Sequence, residues 1–350
     1  MKVAVVGAGI VGLAASFELI RAGHEVDCYD SGTPMGARSS GSSRIFRVAH
    51  TRPALVDWAM RSVLGWREWS GLAKRELVGS QGLVISGDAR GVQSAMDGAQ
   101  AGYRIADATG SLPTTRARGP FFVDDRAGVI DVDATADFLF TAARPRFRKH
   151  RVASLERLGD AAILHLPGGG KIGYDAAVVA AGAGNAELAA DLKIELPTDL
   201  IYNFRFTFQL KDPGAEPACW LDWSEDWKPG FRSYGHSSQA GRWAVGGRLA
   251  GSDDAITVPW GVAHERAGER ISRYIEEFVT ACEPGSLDTI SCNAVRGLGD
   301  GVGIERDGPF LFVWGENLFK LAPQIANFVR DSLDTDNGES ELGDIAPLLF

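Results

Sequence analysis

The first thirty residues constrain the fold more than any other stretch. Met1–Val6 is a short apolar strand that runs directly into Gly7-Ala8-Gly9-Ile10-Val11-Gly12. An apolar helical pattern (Leu13, Ala14, Phe17, Leu19, Ile20) stops at Gly23, and a second strand from His24 to Tyr29 delivers Asp30. Strand, Gly-x-Gly-x-x-Gly, helix, strand and terminal acid together predict a βαβ unit that binds a dinucleotide. Gly7 serves the tight turn, Gly9 lets a pyrophosphate approach the backbone, and Gly12 lets the helix pack against the strand. The phosphates belong on the helix N-terminus, which Ile10 and Val11 open, because free N–H groups and the helix dipole favour anions there. Asp30 stands at the ~20-residue spacing of a ribose-binding carboxylate, with Ser31 beside it.

Length and charge narrow the class. A chain of 350 residues predicts about two domains and a core large enough to need no disulfide or metal staple. A net charge of −9 argues against nucleic acid or an anionic membrane as the main partner. Cys28, Cys219, Cys282 and Cys292 show no C-x-x-C spacing, and the histidines are scattered, so no metal site is expected. Ser39–Ser43 lacks the Gly-x-Ser-x-Gly of a nucleophile elbow. No apolar stretch is long enough to span a bilayer, and the nucleotide motif leaves no room before it for a signal peptide. The expectation is a soluble cytoplasmic protein, monomeric or a small homo-oligomer.

Further along, residues 31–43 form a loop rich in Gly and Ser, suited to close passage along a ligand. It leads to Arg44 and Arg47, which a following helical turn would place on one side. Pro53 to Leu72 reads as an amphipathic helix whose Trp58, Trp66 and Trp69 face a core. Gln81 to Ser86 reads as a strand, residues 90–118 as helix and loop, and Val132 to Ala143 as a helix after Gly128-Val-Ile-Asp131. A β-meander over 152–174 precedes the apolar run 175–181, which reads as a central parallel strand and resumes the nucleotide-binding sheet. Strands then alternate over 201–210, 219–223, 231–235 and 242–249, a helix spans 262–282, and Phe310–Gly315 and Leu321–Leu333 close the pattern as strand and helix.

This order predicts an α/β protein: a discontinuous Rossmann-like domain (1–75, 145–197, 295–350) with an inserted α+β domain of mixed or antiparallel sheet (76–144, 198–294). Four segments carry a family resemblance: Val5–Gly12, Ser42-Ser-Arg44-Ile-Phe-Arg47, Ala180–Leu188 and Phe319-Lys320-Leu-Ala-Pro323, with Gly343-Asp-Ile-Ala-Pro near the end. Together they resemble the D-amino-acid-oxidase-like flavoproteins, and within them the monomeric sarcosine oxidase and N-methyl-amino-acid oxidase group. The resemblance implies FAD, with its ADP on the N-terminal fold and its ring between two domains.

Carried over residue by residue, the resemblance implies that Arg44 lies beside the flavin ring, Arg47 and Lys320 bind the substrate carboxylate, and Tyr234 lines the pocket. It extends the cofactor-binding set to Ser42, Ser43, Val152, Ala181, Gly182, Gly315 and Phe319. Cys292 reads either as a small buried residue or as the covalent flavin link. The lysine associated with oxygen activation is replaced by Ala244, and the family histidine by Arg248, which reads either as a surface strand residue or as a third cation for a more acidic substrate. The tyrosine after the flavin-linked cysteine is Ala294, and Glu316-Asn317-Leu318 replaces the usual glycines. The expected activity is oxidation of the C–N bond of an amino acid or related amine to an imine, with oxygen reoxidising the flavin. A dehydrogenase using another acceptor, a nicotinamide enzyme on the same βαβ, and a non-catalytic flavoprotein are the alternatives.

Overall fold

The structure is a computed structural model that describes residues 1–143, 146–196, 200–239, 241–247, 258–295, 301–316 and 318–334. The chain forms two compact units. One comprises residues 1–40, 134–199 and 295–350, and the other residues 41–133 and 200–294. The sequence placed 41–75 with the nucleotide-binding piece and 134–144 with the insert. The compact units group 41–75 with the second, where the strand Ser43–Phe46 pairs with Gly128–Asp131, and 134–144 with the first, where Phe138 packs on Phe17.

The first unit is built on a six-stranded sheet in the order Val302–Asp307, Phe310–Gly315, Ala176–Val179, Lys2–Val6, Glu25–Tyr29, Arg146–Arg148. The strands are parallel except the first, which runs antiparallel to Phe310–Gly315. Val5 lies between Val178 and Cys28, all buried, as a central parallel strand covered on both faces requires. The anticipated resumption of this sheet after residue 175 is present, and so is the meander of Ser154–Leu158, Ala161–His165 and Lys171–Tyr174. The helix Ile10–Arg21 is anchored by the buried Glu18, which accepts from Arg21 and Arg330. Phe17 packs edge-on against Phe138 at 5.1 Å.

The second unit carries an eight-stranded sheet in the order Asp288–Val295, Leu200–Gln209, Arg242–Gly247, Ser233–Ser237, Cys219–Trp223, Leu83–Gly87, Phe121–Asp124, Arg104–Ala106. Along Leu200–Gln209, side chains alternate between faces. Phe204, Phe206 and Phe208 point one way, joined by Trp220, Trp243 and Val245, and bury against Ala267, Ile271 and Tyr274 of the helix Trp260–Glu277. The Tyr274 hydroxyl donates to Asp222 at 2.8 Å, fixing that helix to the sheet. The helix Pro53–Ala73 buries Trp58, Trp66 and Trp69, the last two edge-to-face at 5.3 Å, so the aromatic stripe is core.

Candidate functional site

The N-terminal turn has the geometry its glycines predict. Gly7 has φ +104°, and a Cβ on it would sit 2.3 Å from the Ala180 carbonyl oxygen. A Cβ on Gly12 would lie 1.8 Å from the Gly7 carbonyl oxygen, so the helix approaches the turn as only glycine allows. The Asp30 carboxylate fastens this turn: one oxygen accepts the Ala8 N–H at 2.7 Å and the other the Gly32 N–H at 2.8 Å. Gly9 caps the twelve-residue helix without a side-chain bond, and the first turn holds no acid to compete with a bound anion. These residues fit the phosphates and ribose of a dinucleotide. Ser31 is exposed beside them.

Ser39 is a contact that the sequence reading missed. Its Oγ accepts the Ile10 N–H at 3.0 Å, closing the Ser-rich loop onto the helix N-terminus. Nothing in a run of serines marks one member for that role. Arg38, next to it, donates to the Gly315 carbonyl at 3.2 Å. Ala181 N–H donates to Asn185 Oδ1 at 2.6 Å, and Asn185 Nδ2 donates to the Val313 carbonyl at 2.8 Å, so one buried amide ties the Ala181–Gly182 turn to the neighbouring strand. Val152 lies in the apolar cluster with Val6 and Tyr29. Phe319 and Lys320 are buried in the turn Leu318–Leu321 that opens the final helix, with Lys320 only 6% exposed.

In the second unit, the loop after Gly41 corrects an expectation. Ser43–Phe46 is a strand, not a helical turn, with Arg44 opposite Ile130 and Ser43 opposite Asp131. Arg44 lies in that strand and Arg47 directly after it, so a spacing of three does not put them on one side as it would in a helix. Arg47 is 8% exposed and donates through Nη1 to the Ala49 carbonyl. The fully buried Asp124 holds the next turn, accepting the Val48 and Ala49 N–H groups at 2.8 and 3.1 Å and Arg126 Nε at 3.1 Å.

The sheet face opposite the aromatics is polar. Register places Arg205 beside Gly246, Thr207 beside Ala244, Ala244 beside His236, and Gly246 beside Tyr234, all on one face. Arg205 Nη1 and Arg44 Nη1 donate to the same acceptor, the Ser43 carbonyl, at 2.6 and 2.8 Å. His236 Nε2 lies 3.1 Å from Ser43 Oγ. Burial, with the positive charges of Arg205 and Arg44, pushes the His236 imidazole well below its usual proton affinity. Ser42 bonds Ser238 hydroxyl to hydroxyl at 3.2 Å and lines a polar cavity of about 230 Å³ with Gly41, Thr207, Ser238 and Asp288.

Ser42, Ser43, Arg44, Arg47 and Tyr234 therefore share the second unit, while the glycines, Asp30, Gly315, Phe319 and Lys320 belong to the first. Sequence reading missed Arg205 and His236. Arg248 lies outside the described residues, as does the side chain of Cys292, whose backbone is in the strand Asp288–Val295. Among the described residues no group of His, Cys, Asp and Glu forms a metal site, and no helix is long and apolar enough to cross a membrane.

The fold is shared with solved structures. NikD, "an unusual amino acid oxidase essential for nikkomycin biosynthesis", superposes with a TM-score of 0.82 at 21% identity over 98% of this chain and 96% of its own. L-proline dehydrogenase from P. horikoshii gives 0.80 at 15% identity over 97% and 94%. Glycine oxidase from Geobacillus kaustophilus gives 0.74 at 17% identity over 95% and 94%. No curated protein matches the chain by sequence. The sequence model of the FAD-dependent oxidoreductase (DAO) family matches residues 2–328. With the glycine cradle, the Asp30-braced turn and that match across almost its whole length, the chain is an enzyme belonging to the FAD-dependent oxidoreductase family.

Proposed function

We propose that this FAD-dependent enzyme oxidises the C–N bond of an amino acid or a related secondary amine to an imine. One observation carries the reading: Arg47 and Lys320, the two cations assigned to a substrate carboxylate, are 8% and 6% exposed. Lysine and arginine are mostly solvated, so two buried cations at the positions that the resemblance gives to a substrate carboxylate support the reading. Solved relatives of this fold include enzymes described as an amino acid oxidase, a glycine oxidase and a proline dehydrogenase, which supports an amino-acid substrate.

Bound FAD supplies the two-electron acceptor. The chain's own part is to bind and orient. Arg47 offers a planar fork and Lys320 a point charge, so the carboxylate is held by charge-assisted hydrogen bonds. Positive charge from Arg44 disfavours an ammonium ion nearby, so the substrate amine is bound as the free base whose lone pair the oxidation needs. The glycine turn, Asp30 and Ser31 hold the adenosine end, with Ser42, Ser43, Ala181, Gly182, Gly315 and Phe319 along the rest of the cofactor. Cys292 is the residue to test for a covalent link.

Oxygen is the electron acceptor we assign. A dehydrogenase reading has one observation in its favour, the buried uncharged Ala244 on the polar sheet face. Anaerobic mixing of the holoenzyme with a panel of amino acids and N-methyl amino acids tests the reaction, since oxidation bleaches the flavin. An enzyme that no amine bleaches is not an amine oxidoreductase. Peroxide equal to substrate consumed supports the oxidase, and none formed moves the assignment to a dehydrogenase.

A further inference from the structure

The cluster around Ser43 contains a polar atom that the proposed reaction does not use. His236 is 1% exposed, and its Nδ1 is buried with no hydrogen-bond partner among the described residues, while Nε2 faces Ser43 Oγ. Folded proteins seldom leave such a nitrogen unmet. Its surroundings are cationic: Arg44 and Arg205 converge on the Ser43 carbonyl, and Gly41, at φ +95°, passes so close that a Cβ on it would lie 2.8 Å from Arg205 Nη2 and 3.3 Å from Arg44 Nη1. Burial, and then the charges of Arg205 and Arg44, keep the imidazole neutral, so it acts by hydrogen bonding and not by charge. When the Ser43 hydroxyl donates to Nε2, the ring proton sits on Nδ1 and Nδ1 becomes a donor. A buried N–H donor in a positive field is suited to an oxygen that carries negative charge, because charge-assisted bonds are the stronger ones.

We propose that His236 Nδ1, backed by Arg44 and Arg205, binds an anionic oxygen, either a substrate carboxylate oxygen or the electron-rich carbonyl edge of reduced FAD. The first source rests on the amino-acid reading above, and the second requires only FAD.

The test uses the FAD-loaded full chain and three variants. His236→Phe keeps ring volume without a donor, His236→Asn keeps an N–H close to the Nδ1 position, and His236→Gln moves it towards Nε2. Two readouts need no turnover, so an enzyme that oxidises no amine still leaves the proposal testable. They are acetate affinity, followed by the visible spectrum, and the midpoint potential of the bound FAD. Losing a hydrogen bond to a charged group weakens binding about 10-fold or more. His236→Phe is expected to lose that factor in acetate affinity if the oxygen is a carboxylate. If the oxygen belongs to reduced FAD, the same factor lowers the two-electron potential by about 30 mV. His236→Asn should retain most of either. Acetate affinity and potential both unchanged in folded, FAD-loaded His236→Phe overturn the proposal. Should that variant fail to load FAD, Asn close to wild type with Gln weakened supports it, and Asn indistinguishable from Gln overturns it.

Discussion

The phenol of Tyr234 lies across the α-carbon of Gly246 on the neighbouring strand: a Cβ built on Gly246 would sit 2.2 Å from Tyr234 Cζ and 2.3 Å from its hydroxyl oxygen. The ring's position therefore depends on the missing side chain. Gly246→Ala should force the phenol off the sheet face and destabilise the fold by about 1–3 kcal/mol, the usual scale of overpacking. Substrate KM should rise with it if Tyr234 lines the pocket. The check is a double-mutant cycle in urea with Tyr234→Ala, in which Gly246→Ala costs little once the ring is gone. Equal costs in both backgrounds would remove Tyr234 as the cause.

Asp124 controls the backbone that follows Arg47. Its carboxylate accepts two buried N–H groups and Arg126 at 0% exposure, so Asp124→Ala leaves several donors unmet at about 1–3 kcal/mol each. A loss of about 2–5 kcal/mol is expected by denaturant titration. Asp124→Asn, which keeps one acceptor oxygen, should lose less. KM for a carboxylate substrate should rise in both variants, because the Val48–Ala49 turn positions Arg47. A normal midpoint for the alanine variant would show that other groups hold that turn.

Legibility in the sequence followed how local each signal was. The βαβ opening declared itself because three glycines, a helix and an acid fall within one short span. The strand Ser43–Phe46 did not, because it is four residues long and its partner Gly128–Asp131 lies far along the chain. Arg205 had a signal that went unread. The alternation Phe204-Arg205-Phe206-Thr207-Phe208 already sets Arg205 and Thr207 opposite the aromatics, and only the burial of that second face makes it a site. A lone histidine carries no spacing, so His236 emerged only once register placed it beside Ala244 and Ser43.

Asp30 is expected to serve twice, as the brace of the Ala8 and Gly32 N–H groups and as the ribose carboxylate. Asp30→Ala should weaken FAD binding by at least about 10-fold, since hydrogen bonds to charged groups contribute about 1.5–3 kcal/mol. Titration of apoprotein with FAD, read by flavin fluorescence, measures it. Asp30→Asn separates the roles. It keeps an acceptor for one N–H but loses the negative charge, so affinity that stays near wild type would assign Asp30 to the turn alone.

Three thiols should be unreactive in the folded protein. Burial pushes Cys28, Cys219 and Cys282 up to about 12, far from the thiolate form that alkylating reagents require. Iodoacetamide at pH 8, followed by peptide mass mapping, should leave all three unmodified until denaturant is added. Modification of any of them in the native protein would mean that its element opens readily.

The depressed proton affinity of His236 makes stability depend on pH with a definite sign. In the unfolded chain an imidazole titrates near 6.5. In the fold, burial and the charges of Arg205 and Arg44 hold His236 neutral well below that. Between the two values the unfolded state binds the extra proton, so stability falls as pH drops through about 6.5 and continues to fall until the folded imidazole itself titrates. For one group the slope reaches about 1.4 kcal/mol per pH unit. Wild type should therefore lose more stability than His236→Asn between pH 7.5 and 5, whatever the other titrating groups contribute to both chains. Paired urea titrations at those two pH values measure the difference. Parallel pH curves for the two chains would mean that His236 takes up its proton at the same pH in the fold as in the unfolded chain, so that the positive field of the two arginines is balanced at the ring.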